Sequence, residues 1–275
     1  MPRLGVLGWP VAHSRSPAIH NAAFASLAMD GWRYQRLPVP PSLFVETTRS
    51  LRASGFVGAN VTIPHKQAAL AIAGQVSETA SAIGAANTLT FAADGEIAAE
   101  NTDGPGLLAA IGSSARGARA LVLGAGGSAR AALWALRQAG ASEVAVWNRT
   151  PQRARALASE FGVQAVVEPT AADLLINCTS VGLQLERSAS EDEALNQLGL
   201  TFDQVGEYSY VVDLVYRSGS TALLAAATAH GSRTLDGLEI LVAQGALSFE
   251  LWTGRQPPLE VMRCAAGQDQ DEHAH

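Results

Sequence analysis

The chain has almost no lysine. It carries 19 basic residues in 275, and all but Lys66 are arginines. A general preference for arginine accounts for the missing lysines but not for the one position that keeps an ammonium. Arginine stays protonated in a protein, whereas an ammonium exchanges its proton when its surroundings are tuned, so a position that passes a proton accepts Lys and not Arg. Cysteine is nearly as scarce. Cys178 and Cys264 are too few and too far apart for a disulfide framework or a thiolate metal site, which fits a reducing compartment. Blocks of positive charge are absent too: the arginines are scattered and the formal charge is -6, which argues against a nucleic-acid surface. No apolar run reaches the ~20 residues of a membrane helix. The opening "MPRLGVLGWPVAHS" also lacks the basic-then-apolar pattern of a secretion signal, so the expectation is a soluble, untargeted, cytoplasmic protein. In that setting the Asn-x-Thr triplets at Asn60, Asn148 and Asn177 carry no glycosylation meaning and read as strand ends.

What is present suits a compact enzyme: 48% of residues are hydrophobic and 16% charged, and the length accommodates two domains. Apolar β-rich runs alternate with Ala-rich helical ones. "RLGVLG" precedes "PAIHNAAFASLA", "WRYQRLPV" precedes "SLFVETTRSLRA", and "FVGANVTI" precedes "HKQAALAIA". That alternation predicts an α/β fold with a mostly parallel sheet. A second series restarts at "RALVLG" and "SARAALWALRQAG" and continues through "SEVAVWN", "DLLINC", "YVVDLVY" and "SRTLDG". Between the two lies "AAENTDGPGLLAAIGSSARGAR", suited to a hinge. The expected division is 1–102, 103–236, and a C-terminal helix in 237–275 that packs back on the first domain. The tail "AAGQDQDEHAH" is polar and expected to fray, and its two histidines do not suggest a metal site.

"ALVLGAGGSARAAL" places Gly124, Gly126 and Ala129 in a G-x-G-x-x-A pattern between a strand and a helix. In that context Gly124 makes the tight turn, Gly126 admits a pyrophosphate, and Ala129 keeps helix and strand close. The helix N-terminus faces the anion, with Ala125, Gly127 and Ser128 completing the loop. A glycine turn in an ordinary βα unit is the plain alternative. At the end of the next strand, "AVWNRTPQR" offers Asn148, Arg149 and Thr150 where an NAD enzyme has a carboxylate for the ribose. Arg149, with Arg153 one turn on, can grip an adenosine 2'-phosphate, so NADP is expected over NAD.

In "AHSRSPAIH", Pro17 suits the first position of a helix and Ser16 its N-cap. Two hydroxyls, Ser14 and Ser16, beside exposed helix amides also form a site for a small carboxylate. Lys66 falls in the first turn of "PHKQAALAIA", where a cation opposes the helix dipole, and a merely structural lysine is less expected there. Asp103 in "NTDGPG" is its candidate partner for proton transfer.

Taken in order, "HSRSP", "NVTIPHK", "IGAANT", "NTDGPG", "GAGGSARA", "WNRT", "DLVY" and "LVAQGALSFELWTG" resemble shikimate dehydrogenases over nearly the whole chain. The resemblance implies reversible reduction of 3-dehydroshikimate to shikimate with NADPH. It also implies an N-terminal substrate domain, a Rossmann-like NADP domain, and an active site in the cleft between them. Ser14 and Ser16 would hold the substrate carboxylate with Tyr216 close by, and Thr62, Asn87, Asp103 and Gln244 the ring hydroxyls. Lys66 would pass the proton, Asp103 would orient it, and Leu214 and Gly237 would lie near the nicotinamide. The plain alternatives are that Asn87 closes a turn, Gln244 sits on a helix surface and Tyr216 fills core. One departure is Ile240, where the family commonly has methionine; it concerns nicotinamide placement and not the reaction class.

The nearest rival is a quinate or dual quinate/shikimate dehydrogenase, which needs room for one more hydroxyl at the carbon bearing the carboxylate. A different class is an NADP-binding regulatory relative without turnover, disfavoured because Lys66 and Asp103 are both present. A phosphate-loop nucleotidase is excluded, since His65 and not glycine precedes the one lysine. The expected partners are small molecules, with a monomer or homodimer left open.

Overall fold

The computed structural model describes residues 1–183, 190–217 and 219–267; the tail histidines His273 and His275 lie outside them. The chain forms two compact units, one of Met1–Gly106 with Leu241–His275 and one of Leu107–Ile240.

The first unit begins with β1 (Arg3–Gly8), α1 (Ser16–Ser26), β2 (Arg33–Pro38), α2 (Phe44–Ser50), β3 (Phe56–Val61) and α3 (Lys66–Ala71). It continues with β4 (Gln75–Val76), α4 (Glu78–Ile83), β5 (Thr88–Phe91), β6 (Ile97–Glu100) and the start of α5 (Asp103–Ile111). These strands make a six-stranded sheet of order β2-β1-β3-β5-β6-β4. The pairings of β1 with β2 and β3 are parallel, and "LGVLG" of β1 is buried throughout, as a strand covered on both faces must be. The hairpin of β5 and β6 runs β5 antiparallel to both its neighbours, a departure from the parallel pattern. Its strands are four residues each, too short to give a periodic signal, and the reversal is made by Gly95 at φ +90.

One core of this unit gathers Leu7, Phe44, Phe56, Val61 and Leu89. An aromatic cluster stacks His20 on Tyr34, with ring centroids 4.4 Å apart, beside Phe24, Phe249 and Trp252. Full burial of a large apolar side chain is worth about 1.5–3 kcal/mol, so these clusters dominate the unit's stability.

In the second unit, β7 (Arg119–Leu123), α6 (Gly127–Ala139), β8 (Glu143–Trp147), α7 (Pro151–Phe161) and β9 (Gln164–Ala165) precede β10 (Leu174–Asn177), α8 (Glu191–Gln197) and α9 (Phe202–Val205). Then come β11 (Tyr210–Asp213), α10 (Ala222–Ala229) and β12 (Arg233–Leu235). The sheet order is β12-β11-β10-β7-β8-β9, all parallel, which is the doubly wound arrangement with its strand order reversing between β7 and β10. α5 and α11 (Gly237–Thr253) each run from one unit into the other, and α12 (Leu259–Gly267) ends the described chain. The fraying expected of the tail does not hold for "AAG": Ala265 and Ala266 are buried at the end of α12, because that helix packs on α1, and the rest of the tail lies outside the described residues. Among the described residues no helix is long and apolar enough to cross a membrane.

Candidate active site

Sheet topology gathers the candidate residues of the first unit. β1, β3 and β6 point the same way and β5 runs against them, so the ends of β1, β3 and β6 and the start of β5 share one edge. Ser14 follows β1, Thr62 and Lys66 follow β3, Asn87 precedes β5, and Asp103 follows β6. The loops are tied together by backbone bonds: Thr62 N–H donates to the Leu7 carbonyl at 2.8 Å, Trp9 N–H to Ile63 at 2.9 Å, and Val61 N–H to Asn87 at 2.8 Å. Gly8 makes the approach feasible, since a Cβ there would lie 2.5 Å from the Thr62 methyl.

Lys66 is the first residue of α3, and its Nζ donates to Asp103 Oδ2 at 2.7 Å. Both side chains keep a little exposure, 11% and 16%, so the pair is held by its surroundings yet reachable. Asp103 in the first turn of α5 sits at the favourable end of that helix. The Asn87 amide donates to Asp103 Oδ1 at 2.9 Å and to Gln244 Oε1 at 3.2 Å. Its orientation is unambiguous, because Thr102 N–H can only donate and reaches Asn87 Oδ1 at 2.7 Å. Gln244 is in turn held by its own donation to the Leu241 carbonyl at 2.8 Å. Lys66, Asp103, Asn87 and Gln244, widely separated in sequence, therefore form one hydrogen-bonded chain.

The cap expected at Ser16 is corrected by the structure. Ser16 is already the first helical residue, Arg15 holds the cap position, and Ser14 Oγ accepts from Ser16 N–H at 3.4 Å. The two serines remain adjacent and buried. Two further residues brace this corner without having been anticipated. Arg36 on β2 donates through Nε and Nη2 to the Ser14 carbonyl at 3.0 and 2.8 Å, and Arg15 Nη1 donates to the Ala266 carbonyl of α12 at 2.5 Å. His65, beside Lys66, stacks on Phe44 and bonds the Val39 carbonyl; its burial lowers its pKa.

The glycine loop of the second unit lies at the point where the strand order reverses. Gly124 has φ +112, and a Cβ there would meet the Cys178 backbone after β10 at 3.2 Å, so the turn admits only glycine. Gly126 is the N-cap of α6 with no side-chain cap, and a Cβ at Gly126 would meet nothing within 4 Å. An uncapped helix start with open space beside Gly126 fits a dinucleotide pyrophosphate, with Ala125, Gly127 and Ser128 next to it in sequence. Past β8, Asn148 donates to the Thr150 carbonyl at 3.0 Å, while Arg149 and Arg153 are exposed beside it. Leu214 and Gly237 are brought together: a Cβ on Gly237 would lie 2.5 Å from the Leu214 carbonyl oxygen. Tyr216 lines a cavity of about 270 Å³ with Thr221, Thr234 and Asp236. Ile240 packs in this unit's core.

Asp213, at the end of β11, was not singled out from the sequence. It accepts from Asn177 at 2.9 Å, Thr221 at 2.7 Å and Val215 N–H at 3.0 Å, which braces the turn carrying Leu214 and Tyr216. Burial raises its pKa to about 6 against the opposing pull of these donors. The available signal was a polar residue ending each of two otherwise apolar strands, "LLIN" and "YVVD".

The chain is similar to known proteins over nearly its whole length. Residues 6–89 match the family described as "Shikimate dehydrogenase substrate binding domain", residues 107–183 "Shikimate / quinate 5-dehydrogenase", and residues 237–266 "Shikimate 5'-dehydrogenase C-terminal domain". A shikimate dehydrogenase (NADP(+)) of Thermus thermophilus is 46% identical over 270 residues, covering 97% of this chain and 98% of that one. The corresponding protein of Paracoccus denitrificans is 41% identical over 272 residues, covering 94% and 93%. Among solved structures, a shikimate 5-dehydrogenase from Thermus thermophilus in complex with NADP(H) and shikimate superposes with a TM-score of 0.85 at 44% identity, covering 97% of this chain and 98% of that one. On sequence, fold and coverage alike, the chain belongs to the shikimate dehydrogenase family.

Proposed function

We propose that the chain catalyses the reversible, NADP-dependent reduction of 3-dehydroshikimate to shikimate, a step toward aromatic precursors. The observation that carries the reading is the Lys66–Asp103 pair, 2.7 Å apart at one edge of the first unit's sheet, made with the chain's single lysine. Ser14 and Ser16 hold the substrate carboxylate, whose charge suits two hydroxyls at the start of α1. Thr62, Asn87, Asp103 and Gln244 take the ring hydroxyls, and Tyr216 contacts the carboxylate end. Bound NADPH supplies the hydride. Lys66 donates the proton to the ketone oxygen as the carbonyl carbon is reduced, and takes it back in the reverse direction. Asp103 keeps the ammonium aimed at that oxygen, and Asn87 occupies the other carboxylate oxygen so that Asp103 cannot rotate away. Gly124, Ala125, Gly126, Gly127 and Ser128 cradle the pyrophosphate. Asn148, Arg149, Thr150 and Arg153 take the adenosine end, and Leu214 and Gly237 flank the nicotinamide.

The test is NADP reduction by shikimate, with quinate and NAD as comparisons, for the wild type beside Lys66→Arg. The wild type turns over shikimate with NADP. The arginine variant still binds shikimate but loses on the order of 100-fold or more in kcat, the usual contribution of a positioned acid–base group. Full activity in the variant would remove Lys66 from the mechanism, and an inert wild type would overturn the reading itself.

A further inference from the structure

Behind Asn87 lies a group of hydroxyls that no role above uses. Thr88, the first residue of β5, is completely buried, as is Ser248 on α11, and Thr102 is 4% exposed. Their oxygens form a triangle: Thr88 to Ser248 is 3.0 Å, Thr88 to Thr102 is 3.1 Å, and Thr102 to Ser248 is 3.1 Å. Asn60 of β3 closes the group from below, its amide donating to Thr88 and Ser248 at 3.1 and 2.9 Å while its oxygen accepts from Tyr34 at 2.7 Å. Since Asn60 also donates to the Asn87 carbonyl at 3.1 Å, its NH2 end is fixed toward the triangle.

A hydroxyl has one proton and two acceptor positions. Ser248 sends its proton to the Gln244 carbonyl at 3.0 Å, one helical turn back, and accepts from its neighbours. Thr88 accepts from Asn60 and has one proton left, facing Ser248, Thr102 and, at 3.3 Å, Asn87 Oδ1. The triangle thus ties β3, β5, the β6–α5 junction and α11 to the two amides, Asn87 and Gln244, that meet at 3.2 Å beside Asp103.

We propose that Thr88 is a positioning residue for the reaction, its hydroxyl holding the Asn87 amide so that Asp103 presents Oδ2 to the Lys66 ammonium. The inference rests on the function proposed above. Replacing the hydroxyl by a methyl of the same shape removes the oxygen that Asn60 and Thr102 share, and the Thr102 hydroxyl is left to Ser248 at 3.1 Å and to Asn87 Oδ1 at 3.2 Å. The amide then shifts, and Asp103 with it.

Thr88→Val and Thr88→Ser separate the hydroxyl from the methyl. Valine lowers kcat roughly tenfold, the value of one well-made hydrogen bond, while KM for NADP is unchanged; serine retains the wild-type rate. In an Asn87→Ala background the valine costs nothing further, because the path runs through that amide. A second measurement is independent of turnover. With a single lysine in the chain, lysine labelled at the ε carbon gives one side-chain NMR signal, and that signal moves in Thr88→Val but stays in place in Thr88→Ser. Should the valine variant fold poorly, Ser248→Ala is read in the same two assays with the same expected loss and signal change. A wild-type rate and unmoved lysine signal in Thr88→Val, or a loss undiminished without Asn87, overturns the positioning role. An inert wild type defeats the functional reading alone, and the lysine signal then decides for or against Thr88.

Discussion

In the proposed reaction Lys66 and Asp103 carry the chemistry at the scale of single residues, but neither is placed by its own neighbours in sequence. The carboxylate meets the ammonium through Oδ2 and the Asn87 amide through Oδ1, so its charge is divided between a proton donor and a brace. Asp103→Asn keeps the shape and removes the charge. A hydrogen bond to a charged group is worth about 1.5–3 kcal/mol, so this variant loses roughly 10–100-fold in kcat with its NADP affinity intact, as steady-state kinetics and calorimetry will show. Lys66 itself was legible in the sequence because it is singular. Asn60, Thr88 and Ser248 were not, since a polar residue in an apolar strand or helix declares neither what it bonds nor whether it is buried.

At the scale of elements, close approach decides. Gly106 of α5 lies against α11, where a Cβ would come within 2.9 Å of the Gln244 backbone nitrogen. Gly106→Ala therefore pushes apart the two helices that carry Asp103 and Gln244. Overpacking of this kind costs about 1–3 kcal/mol, and the variant is expected to lose shikimate turnover while still binding NADP. Gly124→Ala has the opposite signature. Its φ of +112 and the Cys178 backbone at 3.2 Å strain any side chain, so NADP binding by calorimetry is lost while shikimate binding survives. The βα series was readable from alternating apolar runs, and the glycine loop from its flanks. The β5–β6 hairpin was not, because a strand of four residues leaves no period to read.

Two buried titratable groups act on the stability of the whole molecule, and they act in opposite senses. His20 is fully buried in the aromatic cluster with neither ring nitrogen hydrogen-bonded, and burial depresses its pKa to about 3. Below its ordinary value of 6.5 the unfolded chain takes up a proton that the folded one refuses, so this group costs stability progressively as pH falls from 6.5 toward 3. Asp213, raised from 3.8 to about 6, binds its proton first in the fold. Its contribution favours the folded state as pH falls from about 6 to 3.8, by roughly 3 kcal/mol for a shift of this size. Urea unfolding at pH 7, 5 and 4 checks both signs. His20→Phe keeps the stacking and flattens the acid loss, whereas Asp213→Asn steepens it. A profile unchanged by either substitution refutes the assignment.

The sequence by itself determined the alternation of strand and helix, the glycine loop between β7 and α6, the presence of arginines and not a carboxylate at the end of β8, and the single lysine at a helix start. Each of these is local: a period, a turn or a residue type readable within a dozen positions. Tertiary structure alone decided that Ser14 and not Ser16 supplies the oxygen at the start of α1, that Arg36 grips the loop behind it, and that hydroxyls from β5, the β6–α5 junction and α11 converge beneath Asn87. Those arrangements depend on which strands become neighbours and which polar atoms are sealed from water. A buried donor must find an acceptor wherever the fold has brought one, and that search runs across residues as far apart in sequence as Asn60 and Ser248.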